Sequence, residues 1–428
     1  MSTFRIQKSK LKGELTIPPS KSHTVRAILF AAFADGCSTI YNYLASPDTE
    51  AMVNACRLFG ATLHIFPDRI EVVGTNGKIK HAEDVIHAGN SGLTFRFATA
   101  LGALASSPVV VTGDYSIRHY RPILPLLEGL SQLGVKTASM RGDNHAPVIV
   151  QGPIRPGAAN IESEDAQYAS SLIIASAFAE GPIEIFVSKA GEKPWIDVTL
   201  SWLDRLGIPY ERKGYDYYRL EGKARYKGFE YTVPGDFSTA AFPIAAALIT
   251  QSELRLNNLD MSDSQGDKEL IHQFCKMGAA IEIDTTNHTI WVRKGPTLKG
   301  MEIDINDFVD AVTILAVVGC FAEGETLIHN AAVVKHKECN RLACISSELK
   351  KMGADITPTD DGLLIRKSAL KGSHLHSYHD HRMALSLAVA AMTAEEPSTI
   401  TPIDCVAKTF PTFVQDFTTL GAKIEIVS

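Results

Sequence analysis

Residues 269–283 read ELIHQFCKMGAAIEI, and the fold prediction starts from this stretch. Leu270, Phe274 and Met277 are apolar at positions i, i+4 and i+7, which is the spacing of one face of an α-helix. Gly278 suits the left-handed residue that follows the end of many helices. The segment Ile281-Glu282-Ile283 alternates as a half-buried strand does. The stretch therefore predicts an amphipathic helix, a glycine cap and a strand.

The same unit recurs six times along the chain. An apolar residue followed by glycine occurs at Phe59-Gly60, Leu133-Gly134, Leu206-Gly207, Met277-Gly278, Met352-Gly353 and Leu420-Gly421. The intervals between the glycines are 74, 73, 71, 75 and 68 residues. Five copies have the helical apolar spacing before the glycine, and the third has Thr199 at its first apolar position. Six copies at nearly constant spacing indicate a duplicated αβ unit.

Six units divide naturally into two sets of three. The segments Pro18-Pro19 and Val233-Pro234-Gly235 are predicted to be the crossings between two similar lobes. Residues 21–234 hold three of the glycine signals and residues 235–428 hold the other three. Two lobes with a cleft between them would suit an enzyme that closes on its substrates.

Composition narrows the class of protein. The chain has 428 residues, with 42 Lys and Arg against 48 Asp and Glu, a formal net charge of −6 and no basic tract. These numbers disfavour a nucleic-acid partner. The seven cysteines form no Cys-x-x-Cys pair and indicate reduced thiols. The first 20 residues contain no apolar leader segment, and the apolar run 311–322 is too short to span a bilayer. We therefore expect a cytoplasmic protein with no membrane partner.

Cationic residues gather at predicted helix starts. Ser20 is a good N-cap, which places Lys21 and Ser22 in the first helical turn and Arg26 on the same face as Ser22. A helix N-terminus attracts anions, so this segment suits a phosphate or carboxylate; the alternative is a surface helix that begins with basic residues. The turn 89–92 can also offer N–H groups to an anion, although such turns are common.

Other candidates have simpler structural explanations. Arg121 lies before Pro122, which is predicted to start a helix at its first position; a solvated loop arginine is the alternative. Lys337 is predicted to begin the fifth repeat helix and to share a face with Arg341, although Glu338 with Arg341 could be an ordinary surface pair. Three further features are candidates for the functional site, namely the cationic helix start at Asp380-His381-Arg382, Lys408 in a short loop, and Asp310. Asp310 could be a catalytic base or a plain N-cap.

Four histidines fall within eight residues, at His374, His376, His379 and His381. Imidazoles could bind zinc, but this spacing matches no zinc signature such as His-Glu-x-x-His. We therefore expect no metal site.

These segments, in this order, resemble the EPSP synthase family. The matching pieces are Pro19-Ser20-Lys21-Ser22 with Arg26, Gly89-Asn90-Ser91-Gly92, Arg121-Pro122, Gln167-Tyr168, Gly235-Asp236, Gln265-Gly266-Asp267, Asp310-Ala311, Lys337-Glu338 with Arg341, Asp380-His381-Arg382-Met383-Ala384 and Ala407-Lys408-Thr409-Phe410-Pro411. The resemblance implies an α/β fold of two inside-out barrel lobes, each with three αβ repeats. It also implies that residues 1–20 belong with 235–428 in the second lobe, and that the active site lies in the cleft between the lobes.

The family reaction transfers the enolpyruvyl group of phosphoenolpyruvate to the 5-hydroxyl of shikimate 3-phosphate and needs no cofactor. By resemblance, Asp310 matches the proton acceptor at the hydroxyl, Glu338 matches the group that moves the methylene proton, and Lys21 is the third catalytic residue. The implied shikimate 3-phosphate contacts are Lys21, Ser22, Arg26, Asp165, Ala166, Gln167, Asp310 and Lys337. The implied phosphoenolpyruvate contacts are Lys21, Asn90, Gly92, Arg121, Gln167, Arg341, His381, Arg382 and Lys408. We expect a monomer that acts on these two small molecules.

Two departures from the family pattern concern the substrates. Asp165-Ala166-Gln167 replaces the usual Ser-Ser-Gln or Ser-Ala-Gln, and Glu192 stands where a serine usually helps to bind the same phosphate. An acid facing a phosphate costs binding, and Lys193 is expected to offset it. The segment 92–97 lacks the threonine and proline of the usual Gly-Thr-Ala-Met-Arg-Pro, which predicts weakened inhibition by glyphosate.

The alternative functions differ from this one in the acceptor molecule or in the class of protein. A UDP-N-acetylglucosamine enolpyruvyl transferase typically has a reactive cysteine before its second arginine, and residues 114–121 contain none. A non-catalytic anion-binding relative would have no use for both Asp310 and Glu338. Processing of nucleic-acid ends is unsupported because the chain has no basic stripe.

Overall fold

The computed structural model describes residues 2–80 and 82–427. The α-helices in these residues are α1 (Lys21–Phe33), α2 (Pro47–Leu58), α3 (Gly92–Gly102), α4 (Tyr115–His119), α5 (Leu124–Gln132), α6 (Ala166–Phe178), α7 (Lys193–Arg205), α8 (Phe237–Ile249), α9 (Glu269–Lys276), α10 (Val312–Gly319), α11 (Arg341–Lys351), α12 (His381–Ala391) and α13 (Phe413–Thr419). Short 3₁₀ turns occupy Gly266–Lys268, Asn306–Ala311, Ala332–His336 and Asp404–Lys408.

The strands are short, and most have between three and six residues. They are β1 (Thr3–Gln7), β2 (Lys12–Thr16), β3 (Cys37–Tyr41), β4 (Thr62–Ile65), β5 (Arg69–Val73), β6 (Ile86–His87), β7 (Val109–Thr112), β8 (Lys136–Ser139), β9 (Val148–Gln151), β10 (Gly157–Glu162), β11 (Ile183–Ser188), β12 (Tyr210–Lys213), β13 (Tyr217–Leu220), β14 (Glu230–Thr232), β15 (Glu253–Asn257), β16 (Ile281–Asp284), β17 (Thr289–Val292), β18 (Glu302–Asp304), β19 (Glu325–His329), β20 (Asp355–Pro358), β21 (Leu363–Arg366), β22 (His374–His376), β23 (Ser398–Thr401) and β24 (Lys423–Val427).

The strands form six four-stranded sheets in the described residues, and all six have one topology. Their orders are β14-β3-β5-β4, β6-β7-β9-β8, β10-β11-β13-β12, β2-β15-β17-β16, β18-β19-β21-β20 and β22-β23-β1-β24. In each order the first pair is parallel and the other two pairs are antiparallel. The predicted sixfold duplication is thereby confirmed.

Contacts divide the chain into two compact units. Lobe one is Pro19–Val233, and lobe two is the chain up to Pro18 together with the chain from Pro234 onward. Strands β1 and β2 complete two of the sheets of lobe two, and β14 completes the first sheet of lobe one. The start of the chain therefore belongs to the second half by strand pairing.

The core of each lobe is built from helices that are buried on nearly every side. All eleven residues of α3 are buried, and α1 and α6 in lobe one are almost as enclosed. In lobe two α8, α10 and α12 have the same role. The strands alternate between buried and exposed residues, as outer layers do. Helices inside and sheets outside are the predicted inside-out α/β arrangement, which is confirmed. Within the described residues, no helix is both long enough and apolar enough to cross a membrane.

The six repeat helices end as the sequence predicts. Each repeat glycine has a positive φ, between 65° at Gly207 and 104° at Gly60. The N–H of the residue after each glycine donates to a carbonyl five residues earlier, at 2.8–3.2 Å. This bond completes the Schellman motif, which satisfies carbonyl groups at a helix end.

Two predicted helix starts are wrong. Helix α5 begins at Leu124, with Pro125 rather than Pro122 in its first turn. Asp114 caps the short helix α4 by accepting from the N–H of Ile117 at 3.1 Å, which leaves Pro122 in the connection between the two helices. Helix α11 begins at Arg341, not at Lys337. The reason is Asn340, whose side chain accepts from the N–H of Ala343 at 3.2 Å and acts as the N-cap.

Any residue other than glycine is expected to be strained at the positive φ of the repeat glycines, and this strain can be measured as lost stability. Gly278 has φ +101°, and a Cβ added there would meet no atom within 4 Å. Gly278→Ala is therefore expected to lower the free energy of unfolding by about 1–2 kcal/mol through backbone strain alone. Gly278→Asn should lose less, because asparagine tolerates this conformation. Urea denaturation measures both, and equal losses for the two variants would contradict the strain argument.

Candidate active site

Arg341 lies at the centre of a buried ionic network in lobe two. Its Nη1 donates to Oδ1 of Asp310 at 2.8 Å, and its Nη2 donates to Oε2 of Glu338 at 2.9 Å. Its Nε donates to Oδ2 of Asp380 at 2.8 Å. Only 1% of Arg341 is exposed. One guanidinium thus holds three carboxylates that come from three separate segments.

Two more cations contact the same carboxylates. Nη2 of Arg382 lies 2.7 Å from Oδ2 of Asp310 and also donates to Oγ of Ser238 at 2.9 Å. Nζ of Lys408 donates to Oε1 of Glu338 at 2.6 Å. Asp310 and Glu338 are therefore each held by two cationic side chains.

The network is close to electrically neutral. Three carboxylates (Asp310, Glu338 and Asp380) face three cations (Arg341, Arg382 and Lys408), and His381 Nδ1 is 3.8 Å from Oε1 of Glu338. Burial lowers the pKa of Arg341, but the three carboxylates outweigh it and raise that pKa well above its usual value. Such a cluster is stable in a buried place because each charge is paired and hydrogen-bonded.

Local structure explains how each acid reaches the network. Asp380 caps α12 by accepting from the N–H of Arg382 at 2.8 Å. Glu338 lies just before the Asn340 cap of α11, beside the buried Lys337. Asp310 lies in the 3₁₀ turn Asn306–Ala311 and does not cap α10, so its interpretation as an N-cap is wrong.

In lobe one, the start of α1 carries two cations. Ser20 caps the helix, as predicted, and accepts from the N–H of His23 at 3.4 Å. Nζ of Lys21 lies 3.8 Å from Oδ2 of the buried Asp48. The side chain of Lys21 keeps 17% of its surface exposed, so it can still reach a ligand.

Arg26 is buried without a carboxylate beside it in the part of the chain that the structure describes. Its nitrogens donate to Oγ1 of Thr199 at 2.9 and 3.1 Å, and to the carbonyl oxygens of Ser22 and Trp195. Burial lowers the pKa of Arg26 to about 9. A buried guanidinium with only neutral partners has spare capacity for an anion.

The start of α3 is a crowded anion cradle. A Cβ on Gly92 would lie 2.5 Å from Nη1 of Arg121 and 3.0 Å from Nη1 of Arg96, so any larger residue here would displace at least one guanidinium. Asn90 donates to Oδ2 of Asp114 at 2.7 Å. Nη2 of Arg121 also lies 3.5 Å from Oδ1 of Asn90, so Asn90, Gly92 and Arg121 lie close together.

The start of α6 carries two buried acids. Asp165 is the N-cap and accepts from the N–H of Gln167 at 2.9 Å. Glu192 accepts from the N–H of Ala166 at 3.2 Å. Arg96 pairs with Asp165 Oδ2 at 3.3 Å and donates to Oε1 of Gln167 at 3.0 Å. Lys193 instead lies with its Nζ 5.7 Å from the ring centre of Tyr215.

Sequence reasoning missed several partners. It assigned no role to Asp48, Asp114 or Arg96, and it treated Asp380 as a cap without a guanidinium partner. Asp114 and Asp48 stand at helix starts, and this position was the available signal. Asp48 pairs with Lys21, and Arg96 pairs with Asp165, across long stretches of sequence, so no local pattern could identify these two pairs.

The comparisons with known proteins point to one family. A model of the family described as EPSP synthase (3-phosphoshikimate 1-carboxyvinyltransferase) matches residues 6–417. The 3-phosphoshikimate 1-carboxyvinyltransferase of Chlamydia abortus is 45% identical over 428 residues, covering 99% of this chain and 95% of the relative. The protein of the same name from Acetivibrio thermocellus is 43% identical over 422 residues, covering 99% of each.

Solved structures show the same fold. The EPSP synthase of Acinetobacter baumannii has a TM-score of 0.84 and 25% identity, with both chains covered completely. The enolpyruvyl transferase NikO of Streptomyces tendae has a TM-score of 0.80 at 17% identity, covering 100% of this chain and 99% of NikO. The second likeness bears on the fold alone.

Arg341 is expected to be essential for the stability of lobe two. Arg341→Leu removes the shared partner of three buried carboxylates and should lower the free energy of unfolding by about 3–5 kcal/mol. Urea denaturation measures this loss. The control Arg366→Leu removes an exposed arginine that pairs with Glu325, and little change is expected. Similar losses in the two variants would show that the network is not stabilising.

Proposed function

The chain belongs to the EPSP synthase family, and we propose that Asp310 and Glu338 are the two proton carriers of its reaction. The enzyme transfers the enolpyruvyl group of phosphoenolpyruvate to the 5-hydroxyl of shikimate 3-phosphate. The products are 5-enolpyruvylshikimate 3-phosphate and phosphate, in a step of the shikimate pathway to chorismate and the aromatic amino acids.

One observation carries this proposal. Nη1 of Arg341 donates a hydrogen bond to Asp310 and Nη2 donates one to Glu338, so a single rigid guanidinium holds both carboxylates. Addition of an alcohol to a carbon–carbon double bond requires removal of the hydroxyl proton and delivery of a proton to carbon. Two acids at a set separation on one planar group suit these paired transfers.

The reaction has an addition stage and an elimination stage. The 5-hydroxyl oxygen forms a bond to C2 of phosphoenolpyruvate, and its proton passes to the Asp310 carboxylate. Glu338, after taking up a proton from solvent, delivers that proton to C3, which gives a tetrahedral intermediate with a methyl group. Glu338 then takes a proton back from that methyl group while the bond between C2 and the phosphate oxygen breaks. Phosphate leaves, the enol ether double bond forms, and Asp310 returns its proton to solvent.

The ion pairs suggest how the acid at position 310 becomes a base. Two guanidiniums, from Arg341 and Arg382, now stabilise the charge of Asp310 and make it a weak proton acceptor. Phosphoenolpyruvate carries a phosphate and a carboxylate that compete for the same donors. We infer that substrate binding draws these donors away and raises the basicity of Asp310 when the hydroxyl is present.

Lobe one supplies three cations to the proposed substrate contacts, namely Lys21, Arg26 and Arg121. Arg26 is suited to shikimate 3-phosphate because it is buried without a carboxylate, and Ser22 lies beside it. Arg121, over Gly92, is suited to phosphoenolpyruvate. Lys21 is proposed to contact both substrates and to stabilise charge in the transition state. The remaining proposed contacts are Asn90, Asp165, Ala166, Gln167, Asp310, Lys337, Arg341, His381, Arg382 and Lys408. We further propose that the enzyme is a cytoplasmic monomer that needs no cofactor.

An assay of phosphate release tests both the identity of the acceptor substrate and the role of Asp310 as the base. With phosphoenolpyruvate and shikimate 3-phosphate, the enzyme should release phosphate, and Asp310→Asn should lower kcat by about a hundredfold or more. The control Asp304→Asn alters an exposed acid six residues earlier and should behave as the unaltered enzyme. Release with shikimate or UDP-N-acetylglucosamine in place of shikimate 3-phosphate would contradict the acceptor. Full activity of Asp310→Asn would contradict the base.

Glyphosate inhibition is expected to be weaker than in relatives with Gly-Thr-Ala-Met-Arg-Pro. Phe95 and Phe97 are fully buried in α3, so their bulk sets the position of the helix that carries Gly92. The inhibition constant against phosphoenolpyruvate measures the effect, and Leu93→Thr should strengthen inhibition. Sub-micromolar competitive inhibition of the unaltered enzyme would contradict the prediction.

A further inference from the structure

Two cysteines lie on either side of the cap that begins α11. Asn340 is the N-cap of this helix, and its side chain accepts from the N–H of Ala343 at 3.2 Å. Its carbonyl oxygen accepts from the N–H of Cys344 at 2.9 Å. Cys339 therefore occupies the position before the cap, and Cys344 occupies the fourth position of the helix. Side chains at these two positions often pack against each other at a helix start.

The two thiols interact directly. A hydrogen bond between them raises the pKa of Cys339 and lowers the pKa of Cys344, so Cys339 is the donor. Sγ of Cys339 also lies 3.7 Å from Oδ2 of Asp380. The one thiol hydrogen of Cys339 thus has two acceptors within reach, the sulfur of Cys344 and the carboxylate of Asp380. The cysteine pair therefore lies directly against the ionic network of Arg341.

The two cysteines differ in accessibility and in acidity. Cys339 is 7% exposed, whereas Cys344 is half-buried and reaches solvent. Burial, Asp380 and Glu348 act to raise the pKa of Cys344, but the hydrogen bond from Cys339 outweighs them. The thiolate is the reactive form of cysteine, so Cys344 combines solvent access with a stabilised thiolate. Redox-sensing cysteines have this arrangement, an accessible thiolate beside a second thiol.

Four other cysteines are less reactive by the same criterion. Burial raises the pKa of Cys56, Cys320 and Cys405 to about 12 each. Cys275 is exposed on α9, and partial burial of its thiol group raises its pKa as well. A raised pKa leaves little thiolate at neutral pH. Cys275 is therefore a suitable control for the reactivity of Cys344.

We propose that Cys339 and Cys344 are a redox-sensitive modification site, at which hydrogen peroxide forms a disulfide that lowers the activity of the enzyme. Formation of the disulfide requires the two thiols and the peroxide. Its effect on activity rests on the proposed function, because Cys339 directly follows Glu338 in the chain.

The oxidation has two steps. The thiolate sulfur of Cys344 bonds to one oxygen of hydrogen peroxide, the O–O bond breaks, and the hydroxide that leaves takes up a proton from solvent to become water. Cys344 is then a sulfenic acid. The sulfur of Cys339 bonds to the sulfur of Cys344, and the S–O bond breaks. The hydroxyl group leaves as water with the thiol proton of Cys339. The two sulfurs together lose two electrons, which reduce the peroxide to water.

The disulfide is expected to disturb the two carboxylates beside it. It removes the thiol hydrogen that faces Asp380, and it ties residue 339 covalently to α11. Glu338 precedes this residue and accepts from Nη2 of Arg341 at 2.9 Å, so a shift of the backbone at 339 changes the position of its carboxylate. A displacement of about 1 Å can cost about a hundredfold in rate. We therefore expect oxidation to lower kcat about tenfold or more.

Peptide mapping detects the disulfide itself. Trypsin cleaves after Lys337, Arg341 and Lys350, so the two cysteines fall in separate peptides, 338–341 and 342–350. The enzyme is treated with hydrogen peroxide, its remaining thiols are alkylated, and the digest is analysed by mass spectrometry. The two peptides should be joined after peroxide treatment and separate again after dithiothreitol, which reduces disulfides by thiol exchange.

The effect on activity is measured by phosphate release after the same treatment. Release should fall about tenfold or more and recover with dithiothreitol. Cys344→Ala removes the reactive thiol and leaves a good helix former in α11, so this variant should begin with normal activity and keep it after peroxide. The control Cys275→Ala removes an exposed cysteine of the same lobe and should be inactivated as the unaltered enzyme is.

The outcomes separate the two proposals. Absence of the joined peptides after peroxide treatment would overturn the modification site, and so would full activity of an enzyme in which the peptides are joined. Equal inactivation of Cys344→Ala would also overturn it, because another residue would then be responsible. Absence of phosphate release from the untreated enzyme would instead contradict the proposed function, whereas the digest would still show whether the disulfide forms.

Discussion

Carboxylates stabilise a guanidinium that is enclosed in protein, and Arg341 is surrounded by three. Its nitrogens donate to Asp310, Glu338 and Asp380. Because a planar guanidinium has fixed donor directions, the three acids cannot move independently. The 3₁₀ turn before α10 and the starts of α11 and α12 are thereby held in one arrangement. The positions of the two proposed proton carriers are therefore set by Arg341 before any substrate arrives.

The buried cations of the network in lobe two and Arg26 in lobe one have different partners. In lobe two the cations are already paired with carboxylates, and the net charge of the network is close to zero. In lobe one Arg26 is buried among hydroxyl and carbonyl groups, and burial alone lowers its pKa. A substrate anion would supply the missing charge there, while in lobe two it would have to compete with the acids of the chain. Arg26 in lobe one is therefore suited to binding a substrate anion, whereas the carboxylates of the network in lobe two are suited to changes of protonation.

The fold could be predicted from the sequence because its signals are local and repeated. The glycine after each repeat helix is determined by backbone conformation alone, and Gly60 and Gly278 both show the positive φ that the pattern predicts. Helix starts were less predictable where two signals compete. Asn340, three residues after Lys337, is the N-cap of α11, so Lys337 lies outside that helix. In α5, Pro125 rather than Pro122 lies in the first turn. The choice between nearby caps depends on packing that a single segment does not reveal.

The site was predictable in its residues but not in its pairings. Arg341 and Glu338 are close in sequence, so their contact follows from spacing, whereas the contact of Arg341 with Asp310 joins residues 31 positions apart. The acids at the start of α6 show the same limit more sharply. Considered alone, Asp165 and Glu192 are unfavourable charges beside a phosphate, and Lys193 follows Glu192 directly in the sequence. The structure places Arg96 beside Asp165. Since that partner comes from another repeat, only the fold shows that Arg96 compensates the charge of Asp165.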